Sequence, residues 1–105
     1  MKYRRLGNSG LKVSVIGLGT NQFGGKVDLS ETNNIIAAAL DVGINFIDTA
    51  DVYQEGRSEE NIGKALAGKR DKAIIATKVY FRTGDGPNDI GASRQHILNG
   101  VDASL

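Results

Sequence analysis

Cysteine and tryptophan are missing from this 105-residue chain, and proline, histidine and methionine occur once each. Without cysteine there is no disulfide, no thiolate nucleophile and no cysteine-ligated metal, which fits a cytoplasmic location. A single histidine, His96, with no clustered partners gives no metal-ligand spacing. No twenty-residue apolar run is present to span a membrane, and the basic start MKYRRLGNSG lacks the continuous apolar stretch of a secretory signal. Charge of one sign is also scarce. Thirteen Lys and Arg against twelve Asp and Glu leave a formal +1, which predicts no long-range attraction to nucleic acid or to an acidic membrane.

What is present is a repeat. Ile44 to Gly56, INFIDTADVYQEG, is an apolar run of strand type that stops at a carboxylate, Asp48; a phenol, Tyr53, follows five residues later in a loop closed by Gly56. Before it, VSVIGLG gives way to Thr20, Asn21 and Gln22; after it, AIIATK delivers Lys78. With Ile16, Phe46 and Ile75 as strand centres the spacings are 30 and 29 residues, enough for strand, loop, helix and return. The pattern predicts an α/β fold with a parallel sheet, whose successive strand ends carry polar groups on the side where such sheets bind ligands.

Lys2 to Leu6 and Lys12 to Val15 flank Gly7-Asn8-Ser9-Gly10, the turn chemistry of a hairpin ahead of the repeat. Val15 to Leu18 reads as the first parallel strand, with Gly17 and Gly19 allowing close backbone approach. The GLGT segment is a weak dinucleotide signal because GxGxxG fails at Gln22, and a plain strand-to-loop turn reads equally well. Asp28, three before Glu31, caps a first helix with Thr32, Ile36 and Ala39 inward; Ile35, Leu40 and Val42 widen its apolar side and Gly43 stops it. Ser58 reads as the cap of a second helix, with Glu59 and Glu60 at its positive end, Ile62, Ala65 and Leu66 inward, and Gly68 closing it.

Lys69 to Lys72 is a solvated turn, and Ala73 to Thr77 is the third parallel strand, ending at Lys78. Asp48 and Lys78 on neighbouring strands compensate each other's charge. Tyr53 either packs as a loop aromatic or turns its hydroxyl into their cleft. Val79 to Ala92, glycine-rich and holding Pro87, is either a mobile loop lining the site or an exposed linker. Ser93 caps a last helix with Ile97, Val101 and Leu105 on one side, and His96 in its first turn reads as structural or exposed. Three such repeats leave an open sheet, and the chain stops without a glycine cap or polar tail, so it is expected to be part of a longer protein.

With Asp48, Tyr53 and Lys78 in view, the chain resembles the N-terminal third of the aldo-keto reductase family. The segments LGNSGLKVSVIGLGT, NFIDTADVYQEGRSEENIGKAL, IIATK and GPNDIGASRQHI carry the resemblance over essentially the whole chain. It implies the N-terminal part of a TIM (β/α)8 barrel preceded by a β-hairpin, and a nicotinamide-dependent carbonyl reductase. Residues 1–15 would form the hairpin, 16–92 the first three βα units and an active-site loop, and 93–105 the start of the third barrel helix. Carried over by motif, Tyr53 is the proton donor, Lys78 the cation that favours its ionised form, and Asp48 the partner that orders Lys78. Gly19, Thr20, Asn21 and Asp48 fall at the cofactor, with Asn21 standing where the family often has tryptophan. The loop with Gly86, Pro87 and Asn88 resembles the longer loop of microbial members and of channel-associated beta subunits. The family's catalytic histidine follows the fourth strand, so His96 does not take that role.

The implied cofactor is NADPH, with NADH as the alternative, and the implied partner is a small carbonyl substrate, without metal. A homo-oligomer or the remainder of the barrel is the expected macromolecular partner. Two other readings stand beside the enzyme: an NADP(H)-binding regulatory protein of the same fold, and a barrel fragment without independent activity.

Overall fold

A computed structural model describes residues 1–105. Two short strands, β1 (Tyr3–Arg5) and β2 (Lys12–Ser14), pair antiparallel with Arg4 opposite Val13. Their turn closes through Leu6 N–H donating to Leu11 O and the Ser9 hydroxyl donating to Leu6 O. Asn45 anchors this hairpin to the rest of the chain: its Oδ1 accepts from Ser14 N–H at 2.8 Å and its Nδ2 donates to Lys12 O at 3.1 Å. Asn45 lies just before the strand that ends at Asp48, so the hairpin sits at the sheet's N-terminal end, away from that carboxylate.

The parallel sheet has the order β3 (Leu18–Gly19), β4 (Phe46–Asp48), β5 (Ile74–Ala76), with Leu18, Ile47 and Ile75 in one register row. The first strand is therefore shorter and later than Val15 to Leu18. Ser14 still belongs to the hairpin, its hydroxyl donates to Ile16 O, and the resulting bend leaves Val15 and Ile16 more than half exposed. Gly17 explains the approach that follows, since a Cβ there would lie 3.1 Å from the Phe46 ring.

Helix α1 (Leu29–Asp41) begins as the sequence predicts, with Asp28 Oδ1 accepting from Glu31 N–H at 2.8 Å, and Thr32, Ile36 and Ala39 are its buried residues. Val42 does not join the apolar side; it is 61% exposed, because the chain is already turning through Gly43 at φ 88°. Helix α2 (Arg57–Ala65) buries Ile62 and Ala65. Together α1, α2 and the sheet enclose one core built on Ile36, Ile47, Ile62 and Leu66, with Phe23 from the β3–α1 loop filling its end. Helix α3 (Arg94–Ser104) has the expected Ser93 cap, accepting from His96 N–H, but its Ile97, Leu98 and Val101 remain partly exposed.

Between β4 and α2 the chain winds through Tyr53–Gly56 with Gln54 at φ 51° and Glu55 at φ 58°. Left-handed backbone costs an L residue roughly 1–2 kcal/mol. Gln54 offsets part of this by donating from Nε2 to Asn21 O at 2.9 Å, which ties the loops after β3 and β4 together. Glu55 is exposed and its side chain makes no such bond. Glu55→Gly should therefore raise the unfolding free energy by about 0.5–1 kcal/mol, after the larger unfolded-state entropy of glycine is deducted. Urea denaturation measures it, and a less stable variant would remove the strain account.

The loop after β5 closes on itself. Arg82 Nη1 donates to Gly84 O at 2.9 Å and Gly86 O at 3.0 Å, Asp89 Oδ2 accepts from Gly86 N–H at 2.8 Å, and Gly91 N–H returns to Tyr80 O at 2.7 Å. Glycines at 84 and 86 leave room for the Asp89 carboxylate to sit against the backbone, so the loop is internally bonded although most of its residues are exposed.

Candidate active site

Three strand ends converge. Gly19 and Ala76 flank Asp48 in the register row that ends the sheet, and Lys78 follows two residues beyond Ala76. The Lys78 ammonium lies 2.8 Å from each Asp48 carboxylate oxygen, donates to Thr49 O at 2.7 Å, and reaches the Tyr53 hydroxyl at 3.4 Å. It also stands 5.0 Å from the centroid of the Tyr53 ring. An ammonium has three protons to give; carboxylate, carbonyl and phenol account for them.

The Lys78 and Asp48 side chains are 50% and 41% exposed, so the pair opens to solvent rather than lying in the core. Burial lowers the Lys78 pKa, but the hydrogen bonds that its ammonium donates to Asp48 and Tyr53, and their charges, outweigh it and hold the ammonium above the ordinary lysine value. Lys78 is thus a fixed cation beside a phenol. An apolar recess of about 280 Å³ adjoins it, with Val52, Val79, Tyr80 and Phe81 among its walls. Tyr80 and Phe81 meet edge to face, their centroids 5.8 Å apart.

The other predicted site residues fall around this cluster unevenly. Gly19 is exposed at its strand end, and nothing lies within 4 Å of where a Cβ would stand. Asn21 is exposed in the next loop. Thr20 is buried and its hydroxyl already donates to Asp48 O at 2.9 Å, so it supports the strand end from behind. Ser58 does not cap α2. The residue before the helix is Gly56, without a side-chain cap bond, whereas Ser58 is buried between Thr20 and Thr49. Thr49 went unread in the sequence; the signal was three small hydroxyls, Thr20, Thr49 and Ser58, each placed next to a strand end or the helix start that follows it. No three His, Asp or Glu side chains converge as a metal-ligand set.

Asp51 and His96 line a second, polar pocket together with Glu59, Glu60 and Asn99. His96 is 3% exposed, on the structural side of its two readings, and its Nε2 and Asp51 Oδ2 are both buried without a hydrogen-bond partner. Burial raises the Asp51 pKa above 3.8 and the Glu59 charge adds to this, against smaller lowering by the Val52 N–H and His96. A carboxyl with a raised folded pKa favours the fold most below its unfolded value, and that contribution is lost as pH climbs from about 3.8 through the folded value. Asp51→Asn should therefore unfold at the same or a higher temperature than wild type near pH 7, with the difference shrinking toward about pH 4. A clear loss of Tm at neutral pH would show the carboxylate to be favourably paired.

The sequence model of the Aldo/keto reductase family matches residues 15–105. A "Probable voltage-gated potassium channel subunit beta" of Arabidopsis thaliana is 45% identical across 100% of this chain, and one of the same name from Oryza sativa subsp. japonica is 42% identical across 100%. The chain spans 33% of each of these relatives. Among solved structures, the holo form of an aldo-keto reductase from Bacillus halodurans superposes with a TM-score of 0.87 at 40% identity, covering 100% of this chain and 35% of that one. The hairpin and three parallel strands correspond to the N-terminal part of a (β/α)8 barrel, and three strands alone do not close one.

Proposed function

This chain belongs to the aldo/keto reductase family, and from that premise we propose that the whole protein reduces aldehydes or ketones with a nicotinamide cofactor, using Tyr53 as the proton donor. The observation that carries the reading is the single ammonium of Lys78 shared between Asp48 at 2.8 Å and the Tyr53 hydroxyl at 3.4 Å. We read NADPH as the cofactor, NADH as the alternative, and the cytoplasm as the location.

The residues present fit the nicotinamide end of such a cofactor. Gly19 presents backbone without a side chain to open space, in register with Asp48 on the neighbouring strand, and Asn21 is exposed in the loop that follows. When bound, the cofactor supplies a hydride to the carbonyl carbon. Tyr53 gives its proton to the carbonyl oxygen as negative charge builds there. Lys78 makes that transfer easier, because a cation at the phenol favours the phenolate left behind. Asp48 keeps the ammonium in place through both of its oxygens. The recess walled by Val52, Val79, Tyr80 and Phe81 suits an apolar substituent on the substrate carbonyl.

A regulatory reading has one specific support, the relatives named as potassium channel beta subunits that cover the whole chain at 42–45% identity. Steady-state assays of the full-length protein decide between the two. Many turnovers of an aldehyde with matching NADPH oxidation support the reductase, whereas tight NADPH binding without sustained turnover favours regulation.

A further inference from the structure

Ser58 is the hub of a buried hydroxyl cluster that joins the ends of β3 and β4 to Lys78, which follows β5. Its Oγ lies 2.9 Å from Thr20 O, 3.0 Å from Thr20 Oγ1 and 2.9 Å from Thr49 Oγ1. Ser58, Thr20 and Thr49 are each 1% exposed or less, so water does not stand in for a lost partner. Three hydroxyls bring three protons. Thr20 gives its proton to Asp48 O and Ser58 gives its own to Thr20 O, which leaves the Thr49 hydroxyl as the donor to Ser58 Oγ. Thr49 then presents its carbonyl to the Lys78 ammonium at 2.7 Å, the shortest contact that ammonium makes.

A continuous path therefore runs from the first turn of α2 to the cation of the site: Ser58 hydroxyl, Thr49 hydroxyl, Thr49 carbonyl, Lys78 ammonium. A second branch runs through Thr20 to the backbone of Asp48. We infer that Ser58 is a positioning residue for carbonyl reduction, holding Thr49 and Thr20 so that Lys78 and Asp48 keep their places beside Tyr53. Helix capping does not account for a serine here, because its hydroxyl faces the strands and not the helix start. Packing alone does not account for it either: alanine would suit a helix better, but would leave the Thr49 hydroxyl without its acceptor and Thr20 O with only the Phe23 N–H.

The inference rests on the proposed reaction, and the test separates the two. In the full-length protein with NADPH and an aldehyde, Ser58→Ala should lower kcat about tenfold while KM stays within about twofold, as for loss of an interaction made in the transition state. The alkaline limb of the turnover profile should move to higher pH, because a less firmly held Lys78 favours the phenolate less. Thr49→Val, which keeps the carbonyl and removes the hydroxyl, should reproduce the shift, and Thr49→Ser should restore wild-type behaviour. The Ser58→Ala and Thr49→Val effects should be less than additive when combined, since both cut the same link. If Ser58→Ala does not fold, the Thr49 pair carries the test. An alkaline limb unmoved in the variants that fold, whatever their loss of Tm, overturns the inference. Loss of turnover in Tyr53→Phe together with that unmoved limb rejects the positioning role alone; turnover retained in Tyr53→Phe rejects the reaction, and the inference with it.

Discussion

Replacing Tyr53 by Phe should lower carbonyl turnover of the full-length protein by about 100- to 10,000-fold, the range set by a positioned proton donor. The ring remains to pack in its turn, and only the hydroxyl that Lys78 reaches at 3.4 Å is removed. Cofactor affinity should change little, because the phenol is assigned to the substrate oxygen and not to the nicotinamide. The comparison to make is kcat against cofactor Kd. A variant that turns over within twofold of wild type takes Tyr53 out of the chemistry, whatever its effect on affinity.

Lys78→Met should reduce turnover by roughly 100-fold or more, since a cation aimed at developing charge contributes on that scale. It differs from the tyrosine change in its cost to the site, for it leaves Asp48 without its counter-charge and Thr49 O without its donor. The half-exposed pair is screened by solvent, so the loss of global stability should be small beside the loss of rate. The pair also has a pH window. With its folded pKa raised above 10.5, Lys78 contributes its full stability below that value and loses it as pH climbs through the folded value. Equal catalytic constants for variant and wild type would argue against any coupling between lysine and tyrosine.

The sequence made some of this architecture legible and hid the rest for physical reasons. Strand–loop–helix spacing located β4 and β5, and the Asp28 and Ser93 caps located two helix starts, because these are local signals within a few residues. Local signals place the first parallel strand too early, since Val15 and Ile16 have strand propensity and nothing in their own segment says that the hairpin keeps them outside the sheet. Propensity does not report burial. Asp48 and Lys78 stand out as charges at strand ends and Tyr53 as a phenol in the loop after Asp48, and the structure brings those three side chains together. Ser58 misled because a serine before two glutamates is the usual mark of a helix cap; its burial depends on Thr20 and Thr49, 38 and 9 residues away. The shared burial of Asp51 and His96 is hidden for the same reason, as nothing in their own segments shows that both end up buried.

The register row Leu18, Ile47, Ile75 joins segments 29 and 28 residues apart, whereas the hairpin joins Arg4 to Val13. Contacts close in sequence form on microsecond timescales, and parallel pairings wait for whole crossovers to be in place. The hairpin should accordingly gain protection from amide exchange early in refolding, and the Lys78–Asp48 contact, 30 residues apart, should appear only with the completed sheet. The ion pair would then mark the last stage of assembly in this segment, so that a chain caught partway has helices and a hairpin but no chemistry.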